Sequence, residues 1–345
     1  TSTSKTTTMN DTIKPFTVSY KDEDKRNRIP EVLKEFGVCV ITDVFSPEQC
    51  DEWMQHLVDG ITTISPSVKI DTFENLKETW KDRDIMPQVR KGLHQQGYAF
   101  LGWPVRSSTI VEDLFHDLYT NLRGKPVTHT VTSLDAINVR PPIPPFAKED
   151  GDWAHYDQTE SSNPFECVQG QVVLTTTTAG FRCSPKSHLI HKQVCEENGR
   201  LGEKGDWFRF PPSMYKDLQK KVSAVGGQWQ IPVIAPKGSI ILWFSATIHS
   251  AKLADEESFI DAYDPDDKWK NWRGVVYCSQ RPADELSEEH MKTLHYAWEK
   301  NYTTSHWGYK IFKKPYHYKE SKYNSSIVSY MKDPLRIFKK HPELE

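Results

Sequence analysis

The chain has little of what marks a membrane, secreted or nucleic-acid-binding protein. No apolar run approaches the ~18 residues a membrane-spanning helix needs, and mean hydropathy is negative, which predicts a soluble protein with no membrane partner. No charge of one sign dominates: the formal net charge is −3. That excludes a general electrostatic pull toward nucleic acid or an anionic bilayer. Cys39, Cys50, Cys167, Cys183, Cys195 and Cys278 form no Cys-x-x-Cys pair, so the spacing excludes a zinc ribbon and disfavours a disulfide scaffold in a chain of this size. No internal repeat is present. The opening Thr-Ser-Thr-Ser-Lys-Thr-Thr-Thr lacks the apolar core of a signal peptide. Residues 1–10 therefore read as a disordered leader with Met9 as a candidate start. Reduced thiols and an intracellular, cytoplasmic location follow, and the sequons at Asn10, Asn301 and Asn324 then carry no meaning.

At 345 residues the chain can bury one large core or two small ones. Residues 24–36 are charged with apolar residues at helical spacing and stop at Gly37. Val38–Thr42 reads as a short strand. Ser46-Pro47-Glu48-Gln49 opens a helix, with Ser46 as N-cap, Pro47 at the first helical position and Gln49 at the capping-box position. Residues 62–105 read as irregular, and 109–122 as an amphipathic helix burying Ile110, Val111, Leu114, Phe115, Leu118 and Leu122. Beyond about 127 the pattern shortens into strands at 134–140, 153–157, 167–175, 229–234, 239–244 and 273–279, separated by Pro, Gly and Asp clusters. Short strands with turn signals predict a closed or double-layered all-β core. The stretch 184–227 is a long insertion with helical parts near 191–198 and 212–224, and 255–271 reads as an acidic exposed loop. Residues 286–345 read as a charged, aromatic-rich helical tail. Its Tyr309–Tyr323 stretch interleaves bases with aromatics, a surface that single-stranded nucleic acid can use. The acidic balance elsewhere favours a tail packed on the core.

Against this background His155-Tyr156-Asp157 and a later His249 carry the most information. Two imidazoles and one carboxylate hold a divalent metal on one face and leave the opposite face open, the arrangement of non-haem iron(II) oxygenases. In an extended segment side chains two apart point the same way, so His155 and Asp157 can reach one metal. His249 ends the run Gly238-Ser-Ile-Ile-Leu-Trp-Phe-Ser-Ala-Thr-Ile-His249, which reads as a buried strand running out to a rim. An HxD pair alone is weak; a candidate arginine further on strengthens it. In the strand 273–279, Arg273, Val275 and Tyr277 share a face. If that face is inward, Arg273 needs an anion, because an unpaired buried charge costs several kcal/mol. A dicarboxylate supplies one, in a bidentate pair with the guanidinium fork. Arg281 has the same parity but sits before Pro282, so Arg273 is favoured.

Residues from about 30 to 282 resemble the phytanoyl-CoA dioxygenase-like branch of the iron(II)/2-oxoglutarate-dependent oxygenases. The stretch Gly37–Asp51 is similar to that family's opening strand and helix, His155-Tyr156-Asp157 to its HxD, and Ser184-Pro-Lys-Ser-His188 to its Pro-Gly-Ser-His turn, with Lys186 in the glycine's place. Pro236–Trp243 leading to His249 resembles the strand that delivers the distal histidine, and Arg273 with Tyr277 resembles the final arginine strand. The interval from His249 to Arg273 is longer than the family pattern, the excess falling in the acidic loop.

The resemblance implies a mainly β fold: a double-stranded β-helix of jelly-roll or cupin type, with flanking N-terminal and C-terminal helices. The oxygenase domain then spans 11–285 and the tail 286–345. It implies Fe(II), 2-oxoglutarate and O2, with release of succinate and CO2, and a metal site of His155, Asp157 and His249. Halogenating relatives replace the carboxylate with Gly or Ala, so Asp157 favours hydroxylation, desaturation or oxidative cyclisation. Candidate co-substrate contacts are Arg273, Asn138, Tyr277 and Ser245, with Gln158 and Thr175 further polar residues that strand-end bonding explains equally well. His188 reads as structural. Arg182, Arg140 and Lys186 are the candidate contacts to a small, acidic or amino-acid-derived substrate. Algal kainoid ring-closing oxygenases belong to this wider group, and no residue singles them out. The same chemistry on a protein or nucleic-acid side group is the second reading. A non-catalytic β-helix module or a zinc hydrolase on the same triad is the third. An inward Arg273 argues against a hydrolase. Nothing in the sequence sets the oligomeric state.

Overall fold

The structure is a computed structural model that describes residues 11–80, 93–94, 100–143, 153–255, 264–300 and 302–311. The leader at 1–10, residues 256–263 of the acidic loop and the tail beyond 311 lie outside the described residues, as do the readings made on them.

Helix α1 (Lys25–Phe36) ends where expected, because Gly37 takes a left-handed φ of 75°. A Cβ at that position would also collide with the His188 ring. Helix α2 (Pro47–Ile64) starts on the Ser46 cap, whose hydroxyl accepts from the Gln49 N–H at 3.2 Å. Its apolar side buries Cys50, Met54, Leu57, Val58 and Ile61 against the sheet. The described parts of 62–105 are more regular than their composition suggests. They hold α3 (Phe73–Thr79), opened by a Thr72 cap, and the one-turn α4 (Trp103–Arg106). Both are too short for a periodic signal. Helix α5 (Thr109–Arg123) buries the predicted face. Helices α6 (His191–Glu197) and α7 (Tyr215–Ala224) fall in the predicted insertion. Helix α8 (Glu288–Lys300) packs on the core through Trp298, which meets Phe100 and Trp103 edge to face.

The strands in chain order are β1 (Thr17–Ser19), β2 (Val38–Thr42), β3 (Leu93–His94), β4 (Thr130–Thr132), β5 (Ile137–Arg140), β6 (His155–Tyr156), β7 (Val168–Val173), β8 (Gly180–Cys183), β9 (Phe208–Arg209), β10 (Ile231–Val233), β11 (Ile240–Phe244), β12 (His249–Lys252), β13 (Arg273–Cys278) and β14 (Gln280–Pro282). A seven-stranded sheet runs β1-β2-β11-β7-β13-β5-β3. A five-stranded sheet runs β10-β8-β12-β6-β9, and β14 pairs with β4. All pairings but β1–β2 are antiparallel. The two larger sheets face each other across a cluster formed by Val40, Val173, Ile241 and Trp243 from one and Phe181, Cys183 and Val233 from the other. The helices cover the opposite face of the seven-stranded sheet, where residues such as Val172, Leu242 and Val276 meet α2 and α5.

Two strand readings are corrected. The run into His249 is not one strand. Strand β11 stops at Phe244, the chain turns through 245–248, and His249 opens β12 in the other sheet. Arg281 is likewise not on the strand of Arg273 but on β14, beside β4.

Candidate metal centre

Register brings the two histidines together. His249 and His155 are direct partners on the antiparallel pair β12–β6, a position that places side chains on one face about 5 Å apart at Cβ. Their ring centroids are 4.2 Å apart. Asp157, just past β6, is pinned by its N–H to the Ser245 carbonyl at 3.0 Å. Its carboxylate meets both rings, Oδ1 at 3.5 Å from His155 Nε2 and Oδ2 at 3.1 Å from His249 Nε2. One ligand atom from each residue lies within 4.8 Å of the others, the one such trio of metal-ligating side chains among the described residues.

Each imidazole has its other nitrogen on a backbone carbonyl: His155 Nδ1 on Trp153 O at 3.1 Å, and His249 Nδ1 on Thr247 O at 2.8 Å. A protonated Nδ1 in that bond leaves Nε2 as the free donor. Burial favours a protonated Asp157, but the two imidazoles, His155 foremost, hold its carboxyl well below the usual carboxylate range. Burial, reinforced by His155, keeps His249 neutral by pushing its imidazole down. A neutral imidazole beside a carboxylate is the protonation state a divalent cation requires.

Three side chains around the triad escaped sequence reasoning. Gln169 Nε2 donates to Asp157 Oδ2 at 3.0 Å and to Ser245 Oγ at 3.3 Å. Trp307, from the C-terminal segment, donates its indole N–H to the Asp157 carbonyl at 3.2 Å. His306 sits beside it, its imidazole pushed down to about 4 by burial against the pull of the Asp157 carboxylate. Gln169 had a usable signal, its inward parity two residues before Gln171. The Trp307 and His306 contacts span the whole length of the roll in sequence and leave no local signature.

Arg273 lies on the inward face, 7% exposed, at the end of a pocket between the sheets lined by Gln171, Val173, Thr175, Val233 and Ile241. Arg140 is its direct partner across β13–β5, and Asn138 is the partner of Val275. Tyr277 is half-buried opposite Gln171. Arg273 Nε, Gln171 Oε1, Asn138 Oδ1 and Trp243 Nε1 are buried with no hydrogen-bond partner among the described residues. Native cores rarely leave such a group unpaired, and four on one inward face suit an enclosed polar molecule.

Other expected contacts are placed elsewhere. Ser245 accepts from Gln169, the residue that also holds Asp157. Gln158 holds the turn that follows the triad through Ser161 O and Asn163 O. Thr175 bonds Trp272 O at 2.5 Å and accepts from Gly274 N–H. His188 Nε2 is on the Lys34 carbonyl at 2.8 Å, a structural role. The structure does not bring Arg182 to the triad. It alternates with the inward Phe181 and Cys183 and so projects from the outer face of β8, opposite Ser250. Lys186 takes the left-handed turn position at φ 67° and lies over Phe36, 3.9 Å from Glu35.

Arg281 is consumed by carboxylates. It sits 3.1 Å from Glu166 and 3.0 Å from Glu285, with its guanidinium over Trp307. Arg281→Ala should lower thermal stability by about 3 kcal/mol, since it strands the Glu166 carboxylate and leaves Glu285 with Arg123 alone in a largely buried network. The KM for any carboxylate co-substrate should change little. A melting temperature equal to wild type would contradict this structural role.

No family model matches the chain, and no curated protein does. Solved structures do. GlcNAc Inducible Gene 2 (GIG2, DUF1479) from Candida albicans aligns over 94% of this chain and 78% of its own, at 13% identity and a TM-score of 0.53. The shared overall fold is what that likeness shows. The α-ketoglutarate-dependent epimerase SnoN from nogalamycin biosynthesis aligns over 76% of this chain and 84% of its own, at 10% identity and TM-score 0.40. Its complex with Fe3+, α-ketoglutarate and nogalamycin RO aligns at 11% identity and TM-score 0.43, over 76% of this chain and 85% of its own.

Proposed function

We propose that the protein is an iron(II)- and 2-oxoglutarate-dependent oxygenase of the phytanoyl-CoA dioxygenase-like branch, built on a double-stranded β-helix. The strand order supports the fold: the inner strands β11-β7-β13-β5 face β10-β8-β12-β6, and successive strands of the roll alternate between sheets except for the paired β8 and β10. The observation that carries the function is the conjunction of two things on the facing inner sides of the two sheets: a two-histidine, one-carboxylate trio, and a buried arginine with no carboxylate partner among the described residues. Arg273 sits near the Val173 end of β7, and Gln169 and the triad at the other end. Four residues of strand are about 13 Å, a gap that an arginine side chain and a five-carbon dicarboxylate fill together.

When bound, Fe(II) supplies the site for oxygen activation. 2-Oxoglutarate, O2 and a substrate C–H give succinate, CO2 and the hydroxylated product, and desaturation or ring closure yields water instead. The residues have separate tasks. Arg273 takes the far carboxylate of 2-oxoglutarate through its planar fork. Gln171 lines the pocket beside it, Asn138, Tyr277 and Trp243 share its face of the sheet, and Gln169 and Trp307 keep Asp157 in place. A hydrolase on the same trio would have no use for Arg273. The prime substrate is a small, acidic molecule.

Purified protein reconstituted anaerobically with Fe(II) should form succinate from 2-oxoglutarate once O2 is admitted. The rate should rise with the right member of a panel of small carboxylates. Succinate formation that is absent with Fe(II), or equal with Zn(II), would sink the proposal.

A further inference from the structure

Alternation splits the two-stranded ladder β6–β9 into unlike faces. Ala154, Tyr156, Phe208 and Phe210 point into a buried cluster with α6 and α7. The residues between them, Trp153 and His155 on one strand, Trp207 and Arg209 on the other, therefore share the metal face. The pairing is direct, His155 opposite Arg209. Trp153 is stacked on the His155 ring, centroids 4.7 Å apart and planes 10° apart, and Trp207 meets the same ring edge-on at 6.3 Å. Trp207 is nevertheless 53% exposed. Arg209 is exposed, and no described residue pairs with its guanidinium. A single exposed apolar side chain is ordinary. Two tryptophans and an arginine fixed by strand parity around a metal ligand are a built surface, and rigid aromatic faces next to a cation select an anion with an apolar or unsaturated part.

We propose that this face is the prime-substrate platform. Trp207 covers the apolar or unsaturated portion of a small molecule, and Arg209 takes one of its carboxylates, which brings its reactive C–H over His155 and Asp157. The proposal rests on the oxygenase reading and gives its substrate side a chemistry: a carboxylate joined by a short spacer to a flat or branched apolar group. It also replaces Arg182, whose parity sends it to the other face.

The test uses the full chain, with and without Zn(II) and 2-oxoglutarate, and three probes: 3-phenylpropionate, its amide, and propionate. Affinities are read by ligand-observed NMR. Wild type should bind the phenyl carboxylate about three- to tenfold tighter than the amide, the range of a solvent-accessible ion pair. Arg209→Gln should erase that preference and keep the affinity for the amide. Trp207→Ala should weaken both phenyl probes and leave propionate unchanged. Both side chains are exposed, so the fold is not at stake. Three results would overturn the platform: no probe binding to wild type, a preference that survives Arg209→Gln, or phenyl affinities unmoved by Trp207→Ala. Weakened 2-oxoglutarate binding in Arg209→Gln would also overturn it, by assigning Arg209 to the co-substrate. Failure of wild type to bind Zn(II) at the triad would instead count against the metal reading, because the metal-free arm measures the platform alone.

Discussion

Alanine at His249 should remove divalent-metal binding and turnover together. His249 supplies one of three ligand atoms, and its Nε2 is aimed by the bond from Nδ1 to the Thr247 carbonyl. Even outer-shell partners of metal ligands cost 10–100-fold in affinity when lost, so removal of a ligand should exceed about a hundredfold. The substitution shortens a buried side chain at the first residue of β12 and keeps every backbone pairing of that strand, so circular dichroism should be unchanged. Asp157→Gly should differ in kind. It opens a coordination position and removes the one negative charge among the ligands, leaving both imidazoles paired to their carbonyls. Some metal should still bind, at lower affinity, while hydroxylation is lost. The check is metal titration beside succinate and product formation on the same preparations. His249→Ala protein that keeps iron and activity would show that the trio is not the metal site.

Arg273→Lys should raise the KM for 2-oxoglutarate about ten- to a hundredfold, the equivalent of losing a charge-assisted hydrogen bond of roughly 1.5–3 kcal/mol. The KM for the prime substrate should move far less. The reason is geometric: a guanidinium presents two parallel N–H donors to a carboxylate, and an ammonium cannot reproduce that fork. The electrostatic reason is independent. Arg273 is buried beside Val173 and Ile241 with no carboxylate partner among the described residues, and a buried unpaired charge is costly. 2-Oxoglutarate should therefore raise the melting temperature of wild type more than that of Arg273→Lys. The opposite pattern, with Arg281→Ala losing 2-oxoglutarate affinity and Arg273→Lys keeping it, would move the anchor to Arg281, against the two carboxylates that already hold it.

Local chemistry accounts for what the sequence made legible. Ser46, Pro47 and Gly37 mark helix ends by capping and left-handed φ, and α1, α2 and α5 follow from them and from apolar periodicity. The triad was legible because HxD is a local motif and His249 closes an apolar run. What escaped was non-local. That His249 belongs to β12 and not to β11 depends on a turn at 245–248 with no glycine or proline to announce it. Strands β8, β9 and β14 are two to four residues long, below the length at which alternation stands out. Arg182 shows the cost: without β8 its parity is not assignable, and a residue that reads as a candidate substrate contact lies on the outer face. Trp207 and Arg209 are hidden for the same reason, between the two helical parts of the 184–227 insertion, and Trp307 reaches Asp157 from the far end of the fold.

The most direct measurement of the central claim follows the oxygen atoms. Fe(II)-loaded protein is given 2-oxoglutarate and a substrate under 18O2, and the products are read by mass spectrometry. The account predicts one labelled oxygen in succinate and, for a hydroxylated product, one in the alcohol, with neither formed by His249→Ala. Succinate or product formed without label, or formed equally well in the absence of O2, would contradict it.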